Sequence, residues 1–160
     1  MHTDVLYAIP KAAQDRVRRT HCTDSHYTVD PPVNTTDIDY LVLLKVDDVN
    51  GFFNPELALS EFLSECTAGV PGGHWEPCSQ ITEEGKLLYA EDPDYSTTWY
   101  SLRKGNLNII VTNDEEWFMR AVAATELCKA LNLADKEHRI RVFRVIRDGN
   151  DEYELTGLPL

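Results

Sequence analysis

The sequence lacks the patterns that mark membrane, secreted and zinc-ribbon proteins. No apolar run approaches the roughly 18–20 residues that span a bilayer, and the N-terminus has no apolar segment followed by a small-residue cleavage site. The cysteines form no C-x-x-C pair, so neither a zinc ribbon nor a redox motif is indicated. We therefore expect a soluble cytoplasmic chain without membrane contact, whose four cysteines are buried free thiols: Cys22, Cys66, Cys78 and Cys128.

Internal repeats, low-complexity tracts and Ser/Gly linkers are also missing. A length of 160 residues, of which 42% are hydrophobic and 26% charged, predicts a single domain over residues 1–160 with a sizeable core. The net charge of −12 argues against general DNA binding, because a phosphate backbone would repel such a chain.

Positive charge is concentrated in one segment near the C-terminus. Five of the 15 lysines and arginines lie within residues 136–147. Such a cluster of basic residues is typical of a solvated helix face, and it is also found where a helix binds a phosphate or a partner. The five residues are Lys136, Arg139, Arg141, Arg144 and Arg147.

The spacing of apolar residues predicts a mixed α/β domain, with helices packed against one small mixed sheet. The clearest strand is 37–46, whose continuous apolar run is typical of a strand covered on both faces. A hairpin follows later, with strands 97–103 and 106–111 and a tight turn at Lys104-Gly105.

Four helices are predicted from caps and periodicity. They span 9–20, 54–69, 113–131 (capped by Thr112 or Asn113) and 135–147 with Gly149 as its C-cap. The segment 70–94 is rich in Gly, Pro and acidic residues and is the least determined, with short strands expected at Ile81 or at 87–89. It is compatible with a lid, a partner surface or a simple connection.

Asp37 and Asp39 are the most informative residues for function. They stand two apart where a polar loop enters the apolar strand, so alternation places both side chains on one face of the sheet. Their hard carboxylate oxygens suit Mg²⁺, whose coordination sphere is usually completed by water and substrate phosphates. A solvated strand end has the same pattern, so both interpretations stay open. Ser25 lies upstream in a turn-like stretch, and the strand at 106–112 is spaced to pair alongside.

Three segments around these residues resemble a known family. They are DSHYTVDPPVNTTDIDYLVLL, WYSLRKGNLNIIVTNDEEWFMRAVAATELCKALNL and DKEHRIRVFRVIRDGN, which together cover about half of the chain. In order and spacing they are similar to the small nucleotidyltransferase-like proteins encoded by tailed bacteriophages. That superfamily uses a Gly-Ser turn, an Asp-x-Asp strand and a third carboxylate on a neighbouring strand.

The resemblance implies a nucleotide-binding fold that transfers a nucleotide monophosphate from a nucleoside triphosphate to a hydroxyl acceptor. Ser25 and nearby backbone amides would hold the triphosphate, and Asp37 and Asp39 would hold Mg²⁺. Arg103 and Lys104, at the hairpin, would reach the phosphates, unless they simply form an exposed turn. The acceptor would be a host protein, an RNA or a small molecule, in the cytoplasm of an infected cell.

The chain departs from the family pattern at two positions. Asp24 stands where Gly is expected, and Asn108 occupies the catalytic position of the third carboxylate. An Asn offers a metal an oxygen but cannot take a proton from an acceptor. Asp114 or Glu115 would replace that carboxylate, unless both serve the start of a helix.

Three functions are therefore carried forward from the sequence. The first is Mg²⁺-dependent nucleotide transfer. The second is a nucleotidyltransferase-like binding protein without transfer activity, which acts on a host factor or in counter-defence. The third is an interaction domain whose Asp-x-Asp is a solvated strand end.

Overall fold

One mixed β-sheet organises the part of the chain that the structure describes. The structure is a computed structural model and describes residues 5–23, 25–30, 37–45, 55–79, 99–150, 153–155 and 158. These residues form a mixed α/β fold in which helices flank a five-stranded sheet, as the sequence predicts. The strands are β1 (Val17–Cys22), β2 (Ile38–Leu44), β3 (Glu76–Ser79), β4 (Trp99–Lys104) and β5 (Leu107–Thr112). The α-helices are α1 (Lys11–Gln14), α2 (Ser25–Thr28), α3 (Pro55–Thr67), α4 (Glu115–Ala130) and α5 (Lys136–Ile146), preceded by a 3₁₀ turn at Val5–Ala8.

The strand order is β1-β2-β5-β4-β3. β2 and β5 run parallel at the centre, and the other neighbouring pairs are antiparallel. The parallel register places Asp39 beside Asn108 and Leu41 beside Ile110. The predicted pairing of the strand at 106–112 with the Asp-x-Asp strand is thus confirmed.

β2 is buried on both faces, which explains its unbroken apolar run. Tyr40, Val42 and Leu44 enter a cluster on the α3 side of the sheet, while Leu41 and Leu43 enter a second cluster under α4. The predicted apolar side of α3 belongs to the first cluster: Leu59, Phe62, Leu63 and Cys66. Each face of β2 is therefore fixed by a different helix.

α5 packs on α4 rather than directly on the sheet. Val142 of α5 is fully buried with Ala124 and Cys128 of α4 in a third apolar cluster. Asp135 caps α5 by accepting a hydrogen bond from the Glu137 amide at 2.9 Å. The C-cap is Arg147 and not Gly149 as predicted. Gly149 follows two residues later with a φ of +63°, and its amide donates to the Val145 carbonyl.

The predicted N-terminal helix at 9–20 is wrong over its second half. Only Lys11–Gln14 is helical, and Val17–Cys22 forms β1, which pairs antiparallel with β2. Its side chains can stay polar because β1 has a sheet neighbour on one side only among the described strands. Arg16, which directly precedes β1, donates to both carboxylate oxygens of Glu65 on α3.

The hairpin forms as predicted, but its turn lies one residue later. Lys104 pairs with Leu107, so the two turn residues are Gly105 and Asn106. Gly105 has a φ of +61°, a conformation that glycine adopts without strain. Lys104 therefore belongs to the strand and follows its alternation.

α4 begins one or two residues after its predicted caps. Asp114, not Thr112 or Asn113, is the N-cap, and it accepts a hydrogen bond from the Trp117 amide at 3.0 Å. Thr112 instead accepts from the Asp114 amide.

None of the described helices has both the length and the apolar character needed to cross a membrane. The strands expected at Ile81 or 87–89 lie outside the described residues, and β3 was not predicted.

We expect Leu41→Ala to destabilise the fold by about 2–5 kcal/mol, because it leaves a cavity under α4 at a fully buried position. Chemical denaturation measures the free energy of unfolding. The control is Tyr7→Ala, at a side chain that is 81% exposed, which should change stability by less than about 0.5 kcal/mol. Equal losses in the two variants would contradict the two-sided burial of β2.

Candidate functional site

A cavity of about 580 Å³ lies between the start of β2 and helix α5. Strands β2 and β5 form one side, and a single face of α5 forms the other. Both aspartates of the Asp-x-Asp pair line it, together with four basic residues. The lining residues are Thr23, Asp37, Asp39, Ile110, Lys136, Arg139, Ile140, Phe143, Arg144 and Arg147.

The two aspartates share one face, as strand alternation requires. Asp37 immediately precedes β2 and Asp39 is its second residue. Leu41 and Leu43 continue the same face beneath α4. Because those leucines are fixed by packing, the two carboxylates are held at the N-terminal end of a well-packed strand rather than on a loop.

Asn108 lies directly beside Asp39 on β5. Its amide nitrogen Nδ2 donates to Asp39 Oδ1 at 3.2 Å. Its oxygen Oδ1 is buried and accepts no hydrogen bond within the described part of the chain. The residue at the expected third-carboxylate position is thus brought to the site, where it orients one aspartate.

Arg103 reaches the aspartate pair, and Lys104 does not. Nη1 of Arg103 lies 3.5 Å from Asp37 Oδ1 in a half-exposed ion pair. Lys104 is the next residue of β4, so it faces the side of Tyr100 and Leu102, which pack in the α3 cluster. The expectation that both residues reach one triphosphate is therefore corrected: alternation separates them.

The basic segment of α5 forms the wall opposite the carboxylates. Four of its five cations line the cavity, at intervals of three, five and three residues that keep them on one broad face of the helix. Lys136 and Arg144 are also exposed, so a solvated helix face and a phosphate or partner site both stay open as interpretations of this segment. The helical spacing of the four cations was visible in the sequence, but the element they face is set by tertiary packing.

Several of these cations are held in place by neighbours. Arg147 donates to both carboxylate oxygens of Asp148, at 2.8 and 3.1 Å. Its guanidinium also lies over the rings of Trp117 and Phe143, at 5.1 and 5.3 Å from their centroids. Arg139 Nη1 donates to the carbonyls of residues 133 and 134. Two of the four cations of this wall, Arg139 and Arg147, are therefore held in place before a ligand binds.

The chain approaches the cavity at Thr23, two residues before α2 begins. Thr23 lines the cavity, and its amide donates to the Asp39 carbonyl at 2.9 Å. Ser25 is the first residue of α2, two positions further on. The side chain of Ser25 and the whole of Asp24 lie outside the described part of the chain, so their predicted phosphate contacts stay predictions.

α2 is anchored on α4 by a small polar network. The Tyr27 hydroxyl donates to Glu126 Oε1 at 2.6 Å, and Lys129 Nζ lies 4.0 Å from the centre of the Tyr27 ring. Thr23 and Thr125 share a hydroxyl hydrogen bond of 2.7 Å. The hydrogen bond to Glu126, with a contribution from burial, raises the pKa of Tyr27 to about 12.

Asp114 and Glu115 do not supply a third carboxylate. Asp114 caps α4, and Glu115 forms an ion pair with Arg18 at 2.9 Å. Neither lines the cavity. Both therefore serve the helix start, as the alternative interpretation expected.

The donor set fits Mg²⁺ bound together with a phosphate ligand. Within the described residues, no group of three or more His, Cys, Asp and Glu side chains is placed to hold a metal by itself. Asp37 and Asp39 offer carboxylate oxygens to the cavity, whereas Asn108 does not line it and supports Asp39 through its hydrogen bond. Mg²⁺ is commonly held by one or two carboxylates and completed by water and substrate phosphates.

The cysteines play no part in this site. Cys66 and Cys128 are buried, as predicted, whereas Cys22 is half-buried and Cys78 is exposed. Burial raises the pKa of the Cys66 thiol to about 12 and that of Cys128 to about 11. Both thiols therefore stay protonated and unreactive at neutral pH.

Comparison of the chain with protein-family models, curated proteins and solved structures gives no match. The functional assignment consequently depends on the cavity and on the chemistry of the residues that line it.

We expect Tyr27 to titrate near pH 12 and Glu126→Gln to lower its pKa toward the ordinary value of 10. Because the folded pKa is raised, the stabilisation from this hydrogen bond is complete below about pH 10 and is lost as the pH rises through about 12. The pH dependence of the Tyr27 ζ-carbon NMR shift measures this. Glu116→Gln, an exposed carboxylate on the same helix, should leave it unchanged; a parent value near 10 would contradict the contact.

Proposed function

We propose that the chain binds a nucleoside triphosphate as its Mg²⁺ complex in the cavity between β2 and α5. Asp37 and Asp39 would hold the cation, and the basic face of α5 would hold the phosphates. The observation that carries this proposal is that both groups line one cavity. This is a function of the nucleotidyltransferase-like kind that the sequence resembles.

The charge distribution supports a phosphate ligand of small size. The chain has a net charge of −12, yet four cations face two carboxylates across the cavity. A magnesium–triphosphate complex keeps a net negative charge and so matches this excess of cations. A long nucleic acid would meet the acidic remainder of the surface and be repelled.

The two arginines held in place on the cationic wall lower the cost of binding. Arg147 is already fixed by Asp148 and by aromatic rings, and Arg139 by two backbone carbonyls. Side chains that are ordered before the ligand arrives lose little rotamer freedom when it binds. Mg²⁺ bound at the aspartate pair would neutralise phosphate charge next to the strand.

Asn108 favours binding without transfer. Deprotonation of an acceptor hydroxyl needs a base, and Asn108 is an amide that donates to Asp39. Asp37 and Asp39 are the only carboxylates among the described lining residues, and both are assigned to the cation. The proposed role is therefore nucleotide binding directed at a host factor.

Nucleotide transfer is the second candidate function, because the carboxylate pair and the phosphate-binding wall face each other across one cavity. In that reaction an acceptor hydroxyl on a protein, an RNA or a small molecule would attack the α-phosphorus. Its proton would pass to solvent or a nearby base, and the bond to the leaving pyrophosphate would break.

We expect Lys136→Ala and Arg144→Ala each to weaken binding of Mg²⁺–nucleoside triphosphate at least about tenfold, since each removes a cation from the cavity wall. Calorimetric titration gives the dissociation constants. Arg141→Ala is the matched control, because Arg141 belongs to α5 and does not line the cavity. An Arg141→Ala loss as large as the other two would place the ligand elsewhere.

We expect Asp37→Asn and Asp39→Asn to remove the dependence of nucleotide affinity on Mg²⁺. Affinity measured with EDTA should stay the same or rise, because each change removes negative charge from the cavity. Titrations with Mg²⁺ and with EDTA measure both quantities. Glu115→Gln, which lies outside the cavity, should keep the parent response. A Mg²⁺ response that survives in both aspartate variants would refute the metal assignment.

Incubation with each labelled nucleoside triphosphate and Mg²⁺, with and without bacterial lysate, separates the two functions. Covalent labelling that is abolished by Asp37→Ala or Asp39→Ala would establish transfer. Mg²⁺-dependent binding without labelling would establish the binding role. Failure to bind any nucleotide would overturn both and favour an interaction domain.

A further inference from the structure

Part of the cavity wall is apolar, which phosphate binding alone does not explain. Ile110 of β5 and Ile140 and Phe143 of α5 line the same cavity as the cations. Ile140 is 43% exposed and belongs to none of the apolar clusters of the described core. Its exposed surface lines the cavity, so a ligand bound there can cover it.

The core contacts of α5 lie on a different side of the helix. Val142 is fully buried against α4, with Ile146 packed beside it. Phe143 lies between the two sides: it touches the α4 cluster and also lines the cavity. Ile140 is therefore dispensable for attaching α5 and is available to a ligand.

The apolar pair lies between two pairs of cations along the helix. Lys136 and Arg139 come one turn before Ile140 and Phe143, and Arg144 and Arg147 follow within about one further turn of 5.4 Å. A ligand on this face meets apolar side chains and cations at neighbouring positions. It needs an apolar body directly joined to anionic groups.

The ring of Phe143 is held in place on one side. The Arg147 guanidinium lies 5.3 Å from its centroid, and Arg147 is itself paired with Asp148. The Phe143 part of the apolar wall is therefore held in place before a ligand binds, like two of the four cations. A flat heteroaromatic ring is the apolar group that stacks most favourably on a fixed aromatic and aliphatic surface.

We infer that Ile140 and Phe143 form a nucleobase subsite, so that the ligand is a nucleotide with its base and not an inorganic polyphosphate or a sugar phosphate. This inference rests on the proposed function, since it takes the phosphates to lie on the neighbouring cations. The base would cover the exposed surface of Ile140, and burial of that surface would add to affinity.

Calorimetry with the four nucleoside triphosphates and with inorganic triphosphate, all with Mg²⁺, tests the subsite. We expect at least one nucleotide to bind about tenfold or more tightly than triphosphate. Ile140→Ser should remove most of that difference while the affinity for triphosphate stays within about twofold of the parent value. Met119→Ser is the control, because Met119 is 42% exposed on α4 and does not line the cavity.

The outcomes distinguish this inference from the proposed function. Equal affinities for nucleotides and triphosphate in the parent protein overturn the base subsite and leave phosphate binding in place. A loss of both affinities in Ile140→Ser also overturns it, because the side chain would then act on the cavity as a whole. Absence of binding by every probe overturns the proposed function together with the subsite.

Discussion

The burial of β2 on both faces is the constraint on which the rest of the molecule depends. Its side chains alternate between the α3 cluster and the α4 cluster, so the strand cannot slip by one residue without exposing both sets. Asp37 and Asp39 lie on the α4 side because Leu41 and Leu43 do. The packing of leucines thus decides which way the carboxylates face.

That packing also brings unlike charges together. α4 covers one face of the sheet, and α5 packs on α4 through Val142. The basic face of α5 therefore lies opposite the start of β2. Arg103 on β4 meanwhile compensates part of the charge of Asp37, and Asn108 on β5 donates a hydrogen bond to Asp39. Two carboxylates in one half-buried position would otherwise repel each other and resist burial.

The sequence predicts those features that local patterns encode. The apolar run of β2, the Asn-Pro start of α3 and the acidic first turn of α4 each specify one element, and these elements form. β1 was missed because a polar strand at the side of a sheet has no apolar periodicity of its own; its existence depends on pairing with β2. Local signals likewise misplaced the start of α4 and the hairpin turn by one or two residues. Lys104 was therefore predicted in the turn, on the same side as Arg103, whereas it belongs to β4 and faces the opposite side of the sheet.

The candidate site was predictable in part for the same reason. The side-by-side arrangement of Asp37 and Asp39 follows from alternation, and the position of Asn108 follows from parallel pairing. The cavity wall opposite the aspartates could not be predicted, because the spacing of the cations on α5 indicates that they share a helix face but not which element that face lies against. Only the packing of α5 on α4 determines that this face looks toward the carboxylates.

The cavity lies between two parts of the fold that both pack on α4. β2 belongs to the sheet, whereas α5 belongs to the third apolar cluster. A ligand that contacts both the aspartates and the α5 cations would therefore tie the sheet to the terminal helix. Since such a ligand binds only when both walls are in place, it favours the folded chain, by about 2.7 kcal/mol at a concentration one hundred times its dissociation constant. Binding of the proposed nucleotide would therefore be coupled to the docking of α5.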